Sequence, residues 1–363
     1  MNGSIKLNVI KAQQPIGAFY VAKISSQILY QLSAVDRRHI NEDEEVIGVQ
    51  RPLRRDKINE IKRYLTTQNA TFPNSIIVNV KRENVISSTE TELELKCQED
   101  TFTIIDGQHR LFGFEDYGGD TFELILTIFI DLDVDLQAEV FSIINSQQTK
   151  VDPSLNTNLE LAEKTLTPRK MLVQISESFN YDKDSPWYGN IKLLGGQSEG
   201  FLSLSSFVKP LFNLTYPERE FYNIKNRLRA EYPSFPDFSD ITVDNRRYPL
   251  WRFYINRESD VIFKILLNYF NAIKSVLPDD WLNSDSLLNK TSGYNALLKL
   301  FSDVIIIGLE QGKLTEKFFY DLLSPLSALS GNITSFKYGS SGLYSSNNLY
   351  KDMLKVLDLP RVS

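Results

Sequence analysis

Apolar and polar positions follow two regimes along this chain. Up to about residue 150 the pattern is mixed: short β-branched and aromatic runs at Phe19 to Ile24, Ser75 to Val80 and Phe122 to Ile130 predict buried strands, and Val85 with Thr101 to Ile105 predicts a hairpin-like pair. One amphipathic helix interrupts them, with Ile58, Ile61, Tyr64 and Leu65 at helical spacing. Beyond Asp152-Pro153-Ser154 the apolar period lengthens, predicting helices over Leu159 to Phe179, Leu204 to Leu214, Val261 to Leu277, Tyr294 to Leu309 and Glu316 to Leu323. A proline- and aromatic-rich stretch from Tyr216 to Trp251 and turns near Gly195-Gly196 and Gly339 to Ser346 break this half. The expected class is α+β, with a mixed-sheet domain over 1–152 and a mainly α-helical domain over 153–363 suited to docking a partner or DNA.

The most informative local pattern is Thr103-Ile104-Ile105-Asp106-Gly107-Gln108-His109-Arg110-Leu111, an apolar run that ends in Asp-Gly and enters a helix. Gly107 lets the backbone turn sharply and approach a ligand closely. The N–H groups that follow, the helix dipole and the Arg110 fork all favour an anion such as phosphate. His109, one of only two histidines with His39, brings a side chain that titrates near neutral pH. The bland alternative is an ordinary Asp-Gly turn with Arg110 paired to Glu115 or Asp116. A second basic cluster, Arg51, Arg54 and Arg55, stands at the start of the amphipathic helix, where positive charge opposes the helix dipole unless an anion fills the gap. Downstream, a helix from Leu136 to about Ser146 turns Val140, Phe141 and Ile144 inward and ends in the amides of Asn145, Gln147 and Gln148, able to read a base or ribose edge or simply to cap a turn. Asp131 to Asp135 lacks the spacing of an EF-hand and is read as a helix cap.

Composition narrows the field. A net charge of −6 on 363 residues gives no general basic surplus, so DNA contact must be local. Candidate patches are Arg37-Arg38-His39, Arg51 to Arg63, and Asn245 to Tyr248 with Trp251-Arg252, where aromatics alternate with arginines as base-stacking surfaces do. The lone Cys97 excludes an internal disulfide framework. The start of the chain lacks a signal-peptide pattern, and no stretch approaches roughly 18 uninterrupted apolar residues, so no membrane is expected and the cytoplasm is the default.

The basic box, the strand and Asp106 to Arg110, in this order, resemble the DGQHR-domain family, a branch of the ParB/sulfiredoxin-like superfamily. Phe141 to Val151 resembles its Phe-x-x-Ile-Asn-x-x-Gln-x-x-Val segment, and Asp184 to Lys192 its Ser-Pro-aromatic-x-Gly-x-Ile-Lys segment. The resemblance covers most of the first 210 or so residues, with a weaker echo near Asn268 to Ile273 and Lys290 to Ala296. It implies a ParB/sulfiredoxin-like N-terminal domain and a DNA-modification context, since members accompany DNA phosphorothioation (the DndB type) and deazaguanine insertion. Gln108 stands where sulfiredoxin has its reactive cysteine, which argues against that chemistry.

The resulting expectation is a nucleotide, ATP before other NTPs, bound with Mg²⁺ and hydrolysed. Gly107, Arg110, Arg51, Arg54, Arg55, Asn145 and Gln148 would bind it, Asp106 would hold the metal, and Asp106, Gln108 and His109 would act on it, with Glu44 or Glu45 as an additional base. There is no Walker A sequence. Two other readings stay open: a non-enzymatic DNA-binding regulator of a phosphorothioation operon, and an assembly factor for a DNA-modifying enzyme. Either reading admits a homo-oligomer.

Overall fold

A computed structural model describes residues 3–34, 39–40, 46–47, 53–147, 152–194, 200–281, 283–339 and 342–359, with backbone alone at 39–40, 46–47 and 146–147. The chain divides into two compact units, 1–150 and 151–363.

The first unit is built on an eight-stranded sheet. Strands β1 (Ser4–Gln14) and β2 (Gly17–Ser25) form a hairpin, followed by α1 (Ser26–Gln31), β3 (Ser33–Ala34), the short pair β4 (His39–Ile40) and β5 (Val46–Ile47), and α2 (Arg55–Leu65). Then come β6 (Ile76–Val80), β7 (Val85–Ser88), β8 (Glu92–Lys96), β9 (Phe102–Asp106), α3 (Gln108–Phe112), β10 (Glu123–Ile130) and α4 (Val134–Gln147). The sheet order is β3-β9-β6-β10-β2-β1-β8-β7, mixed because β10 pairs with β6 in parallel and with β2 antiparallel.

Period-two alternation sends each strand's side chains to opposite faces. Leu7, Val9, Tyr20, Ala22, Ile24, Ile76, Val78, Ile104, Leu124, Leu126 and Ile128 form one core with Leu29 of α1, Leu65 of α2 and Leu111 of α3. On the other face Ile77, Phe19 and Phe129 pack with Leu136, Val140 and Phe141 of α4. Residues Ile10, Val21, Thr127, Ile77 and Asp106 are successive cross-strand partners, one row leading across the sheet to the motif.

That row reaches Asp106 because of a β-bulge. Val78 pairs with Ile104 but Ile77 with Asp106, so Ile105 is the extra residue. Strict alternation from Phe102 and Ile104 would aim Asp106 into the helix-covered core; the bulge turns it to the opposite face.

The second unit is helical. It comprises α5 (Pro153–Asn158), α6 (Pro168–Tyr181), the two-residue pair β11 (Ile191–Lys192) and β12 (Leu202–Ser203), α7 (Leu204–Thr215), α8 (Phe221–Glu231), α9 (Trp251–Ile255), α10 (Ser259–Val276), α11 (Thr291–Gln311), α12 (Glu316–Leu323), α13 (Ser335–Tyr338) and α14 (Gly342–Leu357). Helix α11 is long and apolar enough to cross a membrane, but most of it is buried as a core helix. At the centre, Phe207 stacks on Tyr294, with ring centroids 4.8 Å apart, and meets Trp187, Phe179 and Phe270. Arg169 is sandwiched over the Phe221 ring and pairs with Glu218 and Tyr216, which join α6 to the start of α8.

Several expectations need correction. Val85 does not pair with Thr101 to Ile105: β7 pairs with β8, while β9 joins β6 and β3. The helix expected over Leu159 to Phe179 breaks at Glu163 to Thr167, because Thr167 caps a new helix whose first residue is Pro168. Helix α8 lies within the proline- and aromatic-rich stretch. Helix α14 starts where a glycine- and serine-rich turn was expected, since Leu349, Tyr350 and Met353 bury one face whatever the propensity of its first turn.

Phe207→Ala should lower stability of the second unit by about 3–5 kcal/mol, because a fully buried ring would leave a cavity among four aromatic neighbours. Denaturant unfolding followed by tryptophan fluorescence reads this, all three tryptophans lying in that unit.

Candidate functional site

The site grows from the end of β9. Gly107 is left-handed, with φ of 96°, so the turn favours glycine, and an added Cβ, 2.5 Å from Cδ1 of Ile76, would also push that side chain aside. The chain then enters α3, which lasts only five residues. So short a helix has a small dipole, and the anion affinity expected from it must come instead from individual groups.

Arg110 determines the local shape. Its Nη1 donates to Asn74 O at 2.7 Å, and its Nη2 donates to Ser75 O and to Asp106 Oδ2, both at 3.0 Å. The expected bland partners were Glu115 or Asp116; Glu115 instead pairs with Lys62. Arg110 therefore pins the loop before β6 to the end of β9, and its charge is half-shielded by Asp106.

Nε2 of His109 accepts the backbone N–H of Arg54 at 3.0 Å, joining the start of α2 to the motif. Burial, and then the Arg54 and Lys57 charges, hold the imidazole below its usual pKa against the opposing pull of Asp56 and Asp106. The Arg54 N–H favours the same neutral form. His109 is thus uncharged at neutral pH, and with Nε2 used as an acceptor its proton sits on Nδ1.

These groups line a cavity of about 360 Å³ with Phe72, Pro73, Asn74, Asp106, Gly107, Gln108, Arg110, Phe141 and Asn145. Gln108 is 6% exposed, so its amide sits in the wall. Asn145 is brought in from α4, its Nδ2 donating to Phe141 O at 2.8 Å. Arg54 and Arg55 do not line the cavity. Arg54 caps α2 with an exposed guanidinium paired to Asp56 in the first helical turn, which offsets the dipole conflict read from the sequence. Arg51, Gln148, Glu44, Glu45, Arg37 and Arg38 lie outside the described residues, as does the side chain of His39. Phe72 and Asn74 were missed by sequence reading; they lie in a loop whose only local signal is Pro73.

The cavity suits a nucleotide's polar end: it offers a close-approach glycine, a neutral histidine donor, an arginine and one carboxylate. Among the described residues no group of three or more His, Cys, Asp or Glu could hold a metal alone. A single carboxylate fits Mg²⁺, which commonly takes one or two carboxylates and completes its shell with water and phosphate oxygens. In the arginine and aromatic patch at 245–252 the two rings are not equally presented. Trp251, the first residue of α9, is 3% exposed and packs in the interior of the second unit, while half-buried Tyr248, in the turn before it, rests on that core with Arg247 over its ring.

Residues 7–184 match the family model for DndB, described as DNA-sulfur modification-associated. No curated protein matches the chain. Among solved structures, the C-terminally truncated chromosome-partitioning protein ParB from Caulobacter crescentus, complexed with CTP-gamma-S, aligns at 13% identity with a TM-score of 0.26. The alignment covers 58% of this chain and 84% of that one.

Two outcomes follow from the geometry. In an NMR titration His109 should titrate below about 6.5, the ordinary histidine value. Because its folded pKa is depressed, its contribution to stability is present above that value and lost as pH falls through the folded pKa, and His109→Gln should remove this dependence. Arg110→Ala should lower stability by about 1–3 kcal/mol with no ligand present, since it leaves two loop carbonyls and Asp106 without their donor; thermal unfolding reads it directly.

Proposed function

We propose that the protein serves a DNA-sulfur modification system by binding a magnesium nucleotide, ATP before other NTPs, in the Asp106 to Arg110 cavity and hydrolysing it. The context rests on the family match over residues 7–184. The observation that carries the nucleotide reading is the convergence of Gly107, His109, Arg110, Asp106 and Asn145 on one cavity. Residues from three separate elements meet there with the functional groups that a phosphorylated sugar needs.

The division of labour follows from the protonation states. His109 Nδ1–H donates to a phosphate oxygen; with Nε2 taken by Arg54, it does not serve as the base. Arg110 places positive charge beside the phosphates without leaving its loop contacts, a preorganised arrangement that stabilises growing negative charge. Asp106, held at one oxygen by Arg110, would hold Mg²⁺ through the other or accept there the proton of the attacking water. Asn145 hydrogen-bonds the sugar. When bound, Mg²⁺ neutralises phosphate charge. Arg51 and Gln148 are kept as candidate contacts from the flanking segments, while Arg54 acts through its backbone.

A second reading, a DNA-binding regulator that does not turn over nucleotide, is favoured by one observation: Arg110 and His109 already have protein partners that tie the loop, α2 and α3 together. In that case the cavity holds a DNA phosphate.

Thermal unfolding with Mg²⁺ and each of ATP, CTP and GTP, followed by phosphate release, separates the two readings. The proposal expects a nucleotide-dependent rise in Tm that shrinks in Asn145→Ala and His109→Gln while the unliganded Tm of Asn145→Ala stays unchanged. Phosphate release should fall at least about tenfold in Asp106→Asn. If no nucleotide shifts Tm but duplex DNA binds with steep salt dependence, the regulator reading replaces it.

A further inference from the structure

The Asp106–Arg110 ion pair stands between two cavities, not at the end of one. Across it lies a second hollow of about 460 Å³, whose lining shares Pro73, Asn74, Asp106 and Arg110 with the first. The first holds His109, Gln108 and Asn145; the second shares the polar rim but has a floor of Val21, Ile77, Ile125 and Thr127, four residues from the three neighbouring strands β2, β6 and β10, with Ile144 of α4 at its side.

The floor is a consequence of the sheet's alternation. Helix α4 packs on Phe19, Phe129 and one part of Ile77, which stays only half-buried, and Ile125 is 40% exposed on the pleated surface. A flat apolar shelf opens beside the anion cavity. Beside the shared Asn74, Asp106 and Arg110, its polar groups are the hydroxyls of Ser75 and Thr127, Thr127 Oγ1 donating to Ser75 Oγ at 2.9 Å. Having accepted that bond, the Ser75 hydroxyl keeps its own proton to donate, and Thr127 oxygen keeps a lone pair.

We infer that this second lobe takes the nucleobase of the nucleotide whose phosphates occupy the first, so that one ligand straddles the Asp106–Arg110 pair. The inference rests on the nucleotide reading above. A ligand matching both lobes needs an anionic end, a hydroxylated middle and a flat end with an apolar face for the floor and hydrogen-bonding edges for the rim. A nucleotide has these three parts in that order. The sugar crosses at Asn74, which lines both lobes, with Asn145 on the phosphate side. The base lies on Val21, Ile77 and Ile125, its edge toward the Ser75 and Thr127 hydroxyls. Base selectivity then comes from the sheet, through the Ser75–Thr127 pair, while the DGQHR turn supplies affinity for any phosphate chain.

The test uses the full chain and Mg²⁺ with ATP, CTP and GTP, each beside inorganic triphosphate and the matching nucleoside, in wild type and Ile125→Trp. Ile125 is exposed enough for the larger side chain to stand over the shelf without entering the core. At least one nucleoside triphosphate should raise Tm more than inorganic triphosphate. Ile125→Trp should weaken that nucleotide about tenfold or more and leave the triphosphate shift unchanged. A Thr127→Val variant should alter the ranking among the three bases. Equal shifts from triphosphate and all three nucleotides, or a nucleotide shift that survives Ile125→Trp, would overturn the base lobe while leaving the phosphate site standing. A nucleoside shift without a triphosphate shift would keep the lobe and remove the phosphate reading. No shift from any of these ligands removes both.

Discussion

The guanidinium of Arg110 is the interaction on which the arrangement of the motif depends. With three hydrogen bonds it joins three pieces of chain: the loop at Asn74 and Ser75, the end of β9 at Asp106, and its own helix α3. Loop carbonyls cannot pair with one another, and a planar fork of donors is the side chain best shaped to satisfy two of them and a carboxylate together. Without it, the walls shared by the two cavities would have no common anchor. The same charge, only partly neutralised by Asp106, remains available to attract an anion.

A second constraint acts at right angles to this one. The bulge at Ile105 rotates Asp106 out of the hydrophobic core and into a row of side chains that runs across the open sheet face. Gly107 then reverses direction where a Cβ would strike Ile76. Strand, bulge, glycine and short helix thus place carboxylate, histidine and arginine on one rim within five residues. The histidine is held neutral by burial, by adjacent positive charge and by a backbone N–H from the neighbouring helix. That environment favours a neutral imidazole with its proton on Nδ1 over an imidazolium.

The helical unit obeys simpler rules. Its core is a set of aromatic rings around Phe207 and Trp187, with Arg169 as a half-buried cation between rings and carboxylates. Clusters that look like nucleic-acid-stacking patches in sequence, such as Trp251 with Arg252, divide here into a buried ring and a solvent-facing charge. Sequence adjacency of aromatic and arginine is therefore weak evidence for a binding face when the spacing is also helical.

The sequence alone determined the α+β class, the strands at Phe19, Ile76 and Phe122, most of the long helices, and the turn at Gly107, because each follows from local periodicity or a single residue's backbone freedom. It also marked Asp106, His109 and Arg110 as a chemical unit. What it left open were contacts between residues far apart in the chain: His109 with the Arg54 N–H, Arg110 with Asn74 and Ser75, and Asn145 beside the motif. It could not show the bulge that aims Asp106, because strict alternation predicts the opposite face. Nor could it show the shelf of Val21, Ile77, Ile125 and Thr127, whose residues become neighbours only when β6, β10 and β2 pair in an order unlike their order in the chain. Local sequence fixes which side chains a turn presents; sheet order, register and the length of a covering helix decide what those side chains face.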